Sequence, residues 1–169
     1  GKAMRYAARV HQLGGAEAAA WNIHSEAVRR QARGEDVILL SVGDPDFATP
    51  APIVEAAKAS LDRGRTHYAE IAGHPELRQA IAAARERSTG MPTRLDQVLV
   101  LAGAQSALFT ACQCLLSPGD AVMVPEPMYV TYPATIAVAG GHIVRLPLTA
   151  ERGFHLDPAA LAAAIRPQV

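Results

Sequence analysis

Residues 99–108 read LVLAGAQSAL, and the fold prediction starts from this stretch. An apolar strand over 97–102 is predicted to run into a turn of small residues, which opens a helix over 105–116. Such a helix start points backbone N–H groups and the positive end of the helix dipole at one place. Because the side chains at 102–104 are small, an anion can approach that backbone. The stretch therefore predicts a phosphate site, with an ordinary tight strand-to-helix turn as the alternative.

A tyrosine pair follows the next predicted strand, which covers 121–125. The carboxyl ends of parallel strands share one edge of a sheet, and ligands bind at that edge. We therefore expect Tyr129 to stack on a ring whose phosphate lies at 103–105, or else simply to pack against the sheet edge. A phosphate site beside an aromatic side chain suits a flat, phosphorylated heteroaromatic cofactor. The glycine patterns of dinucleotide and nucleotide sites are absent.

The remaining pattern alternates strands and helices with short connections. This order is typical of βαβ units in a mainly parallel α/β sheet flanked by helices in three layers. Only about three parallel strands are predicted, so we expect the chain to be part of a longer polypeptide. Besides the elements above, helices are predicted over 15–33, 50–62, 74–88, 130–139 and 157–166, and strands over 37–42 and 142–147.

The composition is that of a globular protein, with 50% hydrophobic residues, 19% charged residues and a formal net charge of zero. No basic run suggests nucleic acid as a partner, and no apolar run reaches the roughly 20 residues of a membrane span. The start lacks an apolar signal segment, so a cytoplasmic protein is expected. Cys112 and Cys114 are interpreted as small core residues. The six histidines show no metal-ligand spacing and are expected mainly at the surface or at helix caps.

Several ordered segments together resemble the class I/II aminotransferases, which are pyridoxal-phosphate (PLP) enzymes of fold type I. The resemblance covers nearly the whole chain, and the sequences of 40–52 and 101–132 are similar to those of the arginine–pyruvate transaminase branch. The segments that carry it are Ser41–Phe47, Thr66–Arg78, Leu101–Leu108, Pro118–Asp120 and Glu126–Pro133.

The resemblance implies a role for each matching residue. It places the cofactor phosphate on Gly103, Ala104 and Gln105, and the pyridine ring on Tyr129. It places the substrate carboxylate beside Gly43. It also implies a homodimer with shared active sites, in which Tyr68 reaches the phosphate of the partner subunit's cofactor and residues 4–30 lie across the partner.

Other features of the family have no counterpart in this chain. The lysine that forms the Schiff base is absent, because Lys2 and Lys58 stand in the wrong contexts. No catalytic residue is therefore assigned in this segment. Residues 1–47 are expected to form an N-terminal arm and small-domain segment. Residues 48–169 are expected to form the first part of the large PLP-binding domain, without the rest of that domain or the C-terminal small domain.

The activity implied is the transfer of an amino group from an amino acid to a 2-oxo acid such as pyruvate. Arginine or another basic amino acid is the expected donor. One alternative is a C–S lyase of the same fold and cofactor, and another is a catalytically dead or truncated PLP-binding module. A third, the effector domain of a transcription regulator, requires a preceding winged-helix segment, for which the sequence before Met4 leaves no room.

Overall fold

The computed structural model describes residues 4–12 and 18–166. The chain divides into two compact units, one formed by the residues up to Gly43 and from Leu108 onward, the other by Asp44–Ala107. The helices are α1 (Ala18–Ala32), α2 (Ala51–Asp62), α3 (Pro75–Thr89), α4 (Gly103–Leu115), α5 (Tyr132–Val138) and α6 (Pro158–Ala164). The strands are β1 (Ala121–Glu126) and β2 (His142–Pro147), and 3₁₀ turns cover Ala8–Gln12, Leu95–Gln97 and Ala150–Arg152.

The first unit is built around a βαβ arrangement. Strand β1 pairs in parallel with β2, and Ala121 lies opposite His142 in the register. Helix α5 connects the two strands, as the sequence predicts, although it is shorter than the predicted 130–139. Asp157 caps α6 by accepting a hydrogen bond from the N–H of Ala159 at 2.9 Å. The parallel pairing sends the carboxyl ends of both strands toward the same edge of the sheet.

The core of this unit is formed by Cys112, Val124 and Ile136, which bring α4, β1 and α5 together. Leu108 and Leu116 pack against the same cluster, one turn to either side of Cys112. This stripe is the helical periodicity that the sequence predicts for α4. The interpretation of both cysteines as core residues is correct for Cys112 and wrong for Cys114, which is exposed. Positions two apart on a helix face different directions, so only one of the pair can point inward.

The two thiols are expected to react at very different rates. Burial raises the pKa of the Cys112 thiol, so less of it is thiolate at any given pH, and the core also blocks access. Brief treatment with iodoacetamide near pH 8, followed by peptide mass mapping, should label Cys114 and leave Cys112 unmodified. In denaturant both should be labelled. Fast labelling of Cys112 in the folded protein would contradict this packing.

The second unit contains α2, α3 and the segment that leads into α4. Arg78 ties α3 to the segment 95–98, since its side chain is only 13% exposed and donates to the carbonyl oxygens of Val98 (3.0 Å) and Leu95 (2.5 Å). The N–H of Val100 donates to the carbonyl oxygen of Ala72 at 3.0 Å. Gly73 is held tightly, because a Cβ added there would lie 2.7 Å from the Cβ of Val100. These contacts fix the path of the chain toward residue 103.

Two predicted strands are absent from the described residues. Over 97–102 the chain instead forms the end of a 3₁₀ turn and an extended segment, and 37–42 is also outside regular structure. The physical reason is that a strand is defined by a hydrogen-bonded neighbour. Within the described part of the chain, only β1 and β2 pair with each other. The segment 97–102 has the apolar composition of a strand, but no other strand pairs with it in the described part of the chain.

Candidate functional site

A cavity of about 220 Å³ in the first unit contains two of the predicted site residues, Gly43 and Tyr129. Helix α1, the irregular segment 41–43 and the loop after β1 all contribute to its wall. Its lining consists of Trp21, His24, Ser41, Val42, Gly43, Tyr129 and Val130. The lining combines aromatic and aliphatic surface with the imidazole of His24 and the hydroxyl groups of Ser41 and Tyr129.

Gly43 leaves open space in this cavity. A Cβ added at Gly43 would meet no atom within 4 Å, so the backbone there is accessible to a ligand. Packing among the described residues therefore does not require a glycine at this position. This geometry suits the predicted approach of a substrate carboxylate to the backbone.

Tyr129 follows β1 by three residues and is 57% exposed. Its ring meets that of Tyr132 edge to face, with centroids 5.8 Å apart and an angle of 62° between the planes. Tyr132 in turn packs against the core and donates its N–H to the carbonyl oxygen of Tyr129 at 3.1 Å. Tyr132 thus supports the ring of Tyr129 on one side, while part of the Tyr129 ring is exposed. Such a ring can serve as a stacking surface.

The predicted phosphate turn opens α4 in the second unit. Gly103 has a φ of +82°, and a Cβ added at this residue would meet no atom within 4 Å. Its own N–H donates to the carbonyl oxygen of Leu101 at 2.8 Å and closes the turn. Ala104 and Gln105 follow in the exposed first turn of a 13-residue helix that has no acidic residue in that turn. The start of a helix carries the positive end of its dipole, so this turn is a candidate position for the predicted phosphate.

Tyr68 also lies in the second unit, in the loop Thr66–Ala69 after α2. Its side chain is fully exposed, with a relative exposure of 107%. The four loop residues line a shallow depression of about 400 Å³. The ring is therefore free to contact a group outside its own unit.

Five lining residues of the cavity were not predicted as site residues: Trp21, His24 and Ser41, and the apolar Val42 and Val130. The Nδ1 atom of His24 is 2.8 Å from the Oγ atom of Ser41, and the His24 ring meets that of Trp21 edge to face at 6.2 Å. His24 is half-buried, whereas the sequence favoured a surface or capping position. The available signal was the spacing of Trp21 and His24, which places them on one face of α1. Their partner Ser41 is 17 residues away and could not be inferred.

Neither a metal-binding cluster nor a membrane-spanning helix is found among the described residues. Residues 4–12 and 18–166 hold no group of three or more His, Cys, Asp or Glu side chains arranged to bind a metal ion. Among the same residues, no helix has the length and apolarity needed to cross a membrane.

Residues 35–169 match the family "Aminotransferase class I and II", and the chain belongs to this family. It is 50% identical over 165 residues to the arginine–pyruvate transaminase of Pseudomonas aeruginosa, a match covering 98% of this chain and 42% of that protein. It is 39% identical to the aspartate/prephenate aminotransferase of Thermus thermophilus, over 86% of this chain and 38% of the other. The chain thus spans about two fifths of the length of these relatives.

Solved structures give the same picture. The aspartate aminotransferase from Thermus thermophilus with maleate superposes with a TM-score of 0.89 at 35% identity, over 99% of this chain and 43% of that one. The alanine aminotransferase from Pyrococcus furiosus gives 0.89 at 29% identity, over 98% and 42%. The predicted fold class, the N-terminal part of a fold type I transferase, is confirmed.

Proposed function

We propose that the whole protein is a PLP-dependent aminotransferase that moves the amino group of arginine or another basic amino acid to a 2-oxo acid such as pyruvate. The observation that carries the proposal is that Gly43 and Tyr129 line one cavity. In a member of this family, these are the positions proposed for the substrate carboxylate and the cofactor ring. The choice of arginine and pyruvate is supported by the 50% identity to a transaminase named for them.

The residues of this chain would hold the cofactor and keep its surroundings ordered. Gly103, Ala104 and Gln105 would hold the phosphate at the start of α4, where Gly103 shapes the turn through its N–H bond to the carbonyl oxygen of Leu101. Tyr129 would cover one face of the ring and exclude water from it. When bound, PLP supplies an electron sink that eases removal of the α-proton of an amino acid. Gly43 would leave room for the substrate carboxylate to reach the backbone.

The covalent attachment of the cofactor requires a lysine that we assign to the remainder of the protein. Lys58 is on the exposed surface of α2, where it pairs with Glu55 at 2.8 Å, and it does not line the cavity that contains Gly43 and Tyr129. The chain is therefore proposed to contribute binding residues, and none of its residues is proposed as catalytic. We retain the expected division at residue 47, with the large PLP-binding domain beginning at residue 48.

The proposed assembly is a homodimer with shared active sites. Its support in this chain is Tyr68, whose fully exposed ring is available to the phosphate of the cofactor in the partner subunit. Residues 4–30 are proposed to lie across the partner. The cytoplasm is the proposed location, and the free thiols of Cys112 and Cys114 suit a reducing compartment.

The test uses the complete polypeptide with added PLP. We expect a visible absorbance band from the bound cofactor, and formation of alanine when arginine and pyruvate are supplied together. A C–S lyase would instead release pyruvate from a sulfur amino acid without any 2-oxo acid acceptor. A dead module would bind PLP without converting either substrate. Absence of the band in the complete polypeptide would contradict the proposal at its first step.

A further inference from the structure

The cavity at Gly43 has a side wall that the proposed cofactor and carboxylate roles do not use. Trp21 and His24 form it from one face of α1, and Ser41 joins them from a bend later in the chain. Trp21 is 48% exposed and His24 is half-buried, so both can contact a ligand. At about 220 Å³ the cavity is smaller than the roughly 300–1,000 Å³ of sites that enclose drug-sized ligands. The space suits part of a ligand, such as an amino-acid side chain.

The His24 ring is fixed in orientation by two contacts. Ser41 Oγ lies 2.8 Å from Nδ1, and the Trp21 ring meets the imidazole at an angle of 89°. In the tautomer in which Nδ1–H donates to Ser41, the other ring nitrogen, Nε2, carries a lone pair and accepts hydrogen bonds. A ligand that donates hydrogen bonds then finds a positioned acceptor in this wall.

The chemistry of the lining favours a cation over an anion. None of the lining residues carries a carboxylate, ammonium or guanidinium group. A carboxylate side chain would therefore lose hydration without gaining a cationic partner from this wall. A guanidinium or ammonium group gains attraction from the face of a tryptophan ring, which Trp21 contributes to this wall. Val42 and Val130 offer apolar surface to its methylene chain.

We propose that this cavity receives the cationic side chain of a basic amino acid, and that Trp21 and His24 determine that specificity. The inference rests on the proposed aminotransferase function and names the group that selects the substrate. Trp21 supplies an aromatic face to the cation. His24 accepts a hydrogen bond from the end of the chain, and Ser41 holds the imidazole in place.

The test compares L-arginine with L-norleucine, an uncharged amino acid with an aliphatic side chain. The complete PLP-loaded polypeptide is assayed with pyruvate, and kcat/KM is measured for both amino acids. Calorimetric titration with each amino acid gives their dissociation constants. Trp21→Leu and His24→Leu should each lower the preference for arginine about tenfold, which is the scale of a partly desolvated cation–π contact or a hydrogen bond to a charged group. Trp21→Phe should retain part of the preference.

Ile23→Ala is the matched control, because Ile23 lies on the same helix, is 68% exposed and does not line the cavity. It should leave the arginine preference unchanged. If Trp21→Leu and His24→Leu weaken both amino acids equally, the specificity inference is wrong while the aminotransferase proposal stands. If the wild type transaminates no amino acid, the proposed function fails, and the ratio of the two dissociation constants still decides the inference. A wild-type ratio near one would overturn it.

Discussion

Ala104→Asp is expected to lower the affinity of the complete polypeptide for PLP about a hundredfold or more. The new carboxylate would stand in the exposed first turn of α4, where the proposal places the phosphate. Two unit charges about 5 Å apart repel by roughly 3 kcal/mol at an effective dielectric constant near 20, which corresponds to about a hundredfold in affinity. The same carboxylate is favourable for the helix dipole by about 0.3–1 kcal/mol. Loss of binding should therefore occur without loss of folding.

Two comparisons make this result specific to the anion. Ala104→Asn adds a side chain of the same size without the charge, and it should retain most of the affinity. Pyridoxal, which lacks the phosphate, should bind the wild type and Ala104→Asp with similar affinity. Binding is followed by the visible absorbance of the cofactor and by calorimetry. Equal affinity of the wild type and Ala104→Asp for PLP would remove the phosphate from this helix start.

Gly73→Ala is expected to lower the free energy of unfolding by about 2–5 kcal/mol. Gly73 has a φ of +102°, where an L-residue costs about 1–2 kcal/mol. The added Cβ would also lie 2.7 Å from the Cβ of Val100, a distance that real Cβ atoms essentially never show. Relieving this overlap requires a backbone shift of the kind that costs about 1–3 kcal/mol in tightly packed sites. Denaturant titration of the purified variant measures the loss.

Gly64→Ala is the control for the backbone conformation alone. Gly64 also has a positive φ, of +74°, but nothing lies within 4 Å of its notional Cβ. The control should lose only about 1–2 kcal/mol. Equal losses for the two variants would mean that the approach of Val100 to Gly73 does not contribute.

The elements that the sequence predicted well are those whose signals are local. The stripe of Leu108, Cys112 and Leu116 is enough to predict α4 and the face it buries. The turn residues around 117–120 and 140–141 likewise bracket β1, α5 and β2 within a few positions. Each of these signals lies within about ten residues of the structure it determines.

Pairing between strands depends on residues far apart in the sequence. Leu99 belongs to an apolar run but is 54% exposed, because no neighbour pairs with this segment in the described part of the chain. Composition predicts that such a run suits a strand, whereas only a partner makes it one. The same limit applies to 37–42.

The site shows the same division between local and distant information. The sequence singles out Gly103–Gln105 by a turn of small residues and Tyr129 by its place after a strand. In the structure, Gly103–Gln105 are exposed at the start of a helix, and Tyr129 is partly exposed beyond β1. The sequence could not single out His24 as a site residue, because its proposed role depends on its contact with Ser41 and on the cavity that both residues line. The sequence around a single histidine on a helix does not reveal which distant residue it will contact.

A crystal structure of the complete polypeptide with bound PLP tests the central claim most directly. We expect the phosphate oxygens about 2.7–3.2 Å from the backbone nitrogens of Ala104 and Gln105, and the pyridine ring against the face of Tyr129. A phosphate held by other residues, with the start of α4 facing only solvent, would contradict the claim. So would a cofactor ring that makes no contact with Tyr129.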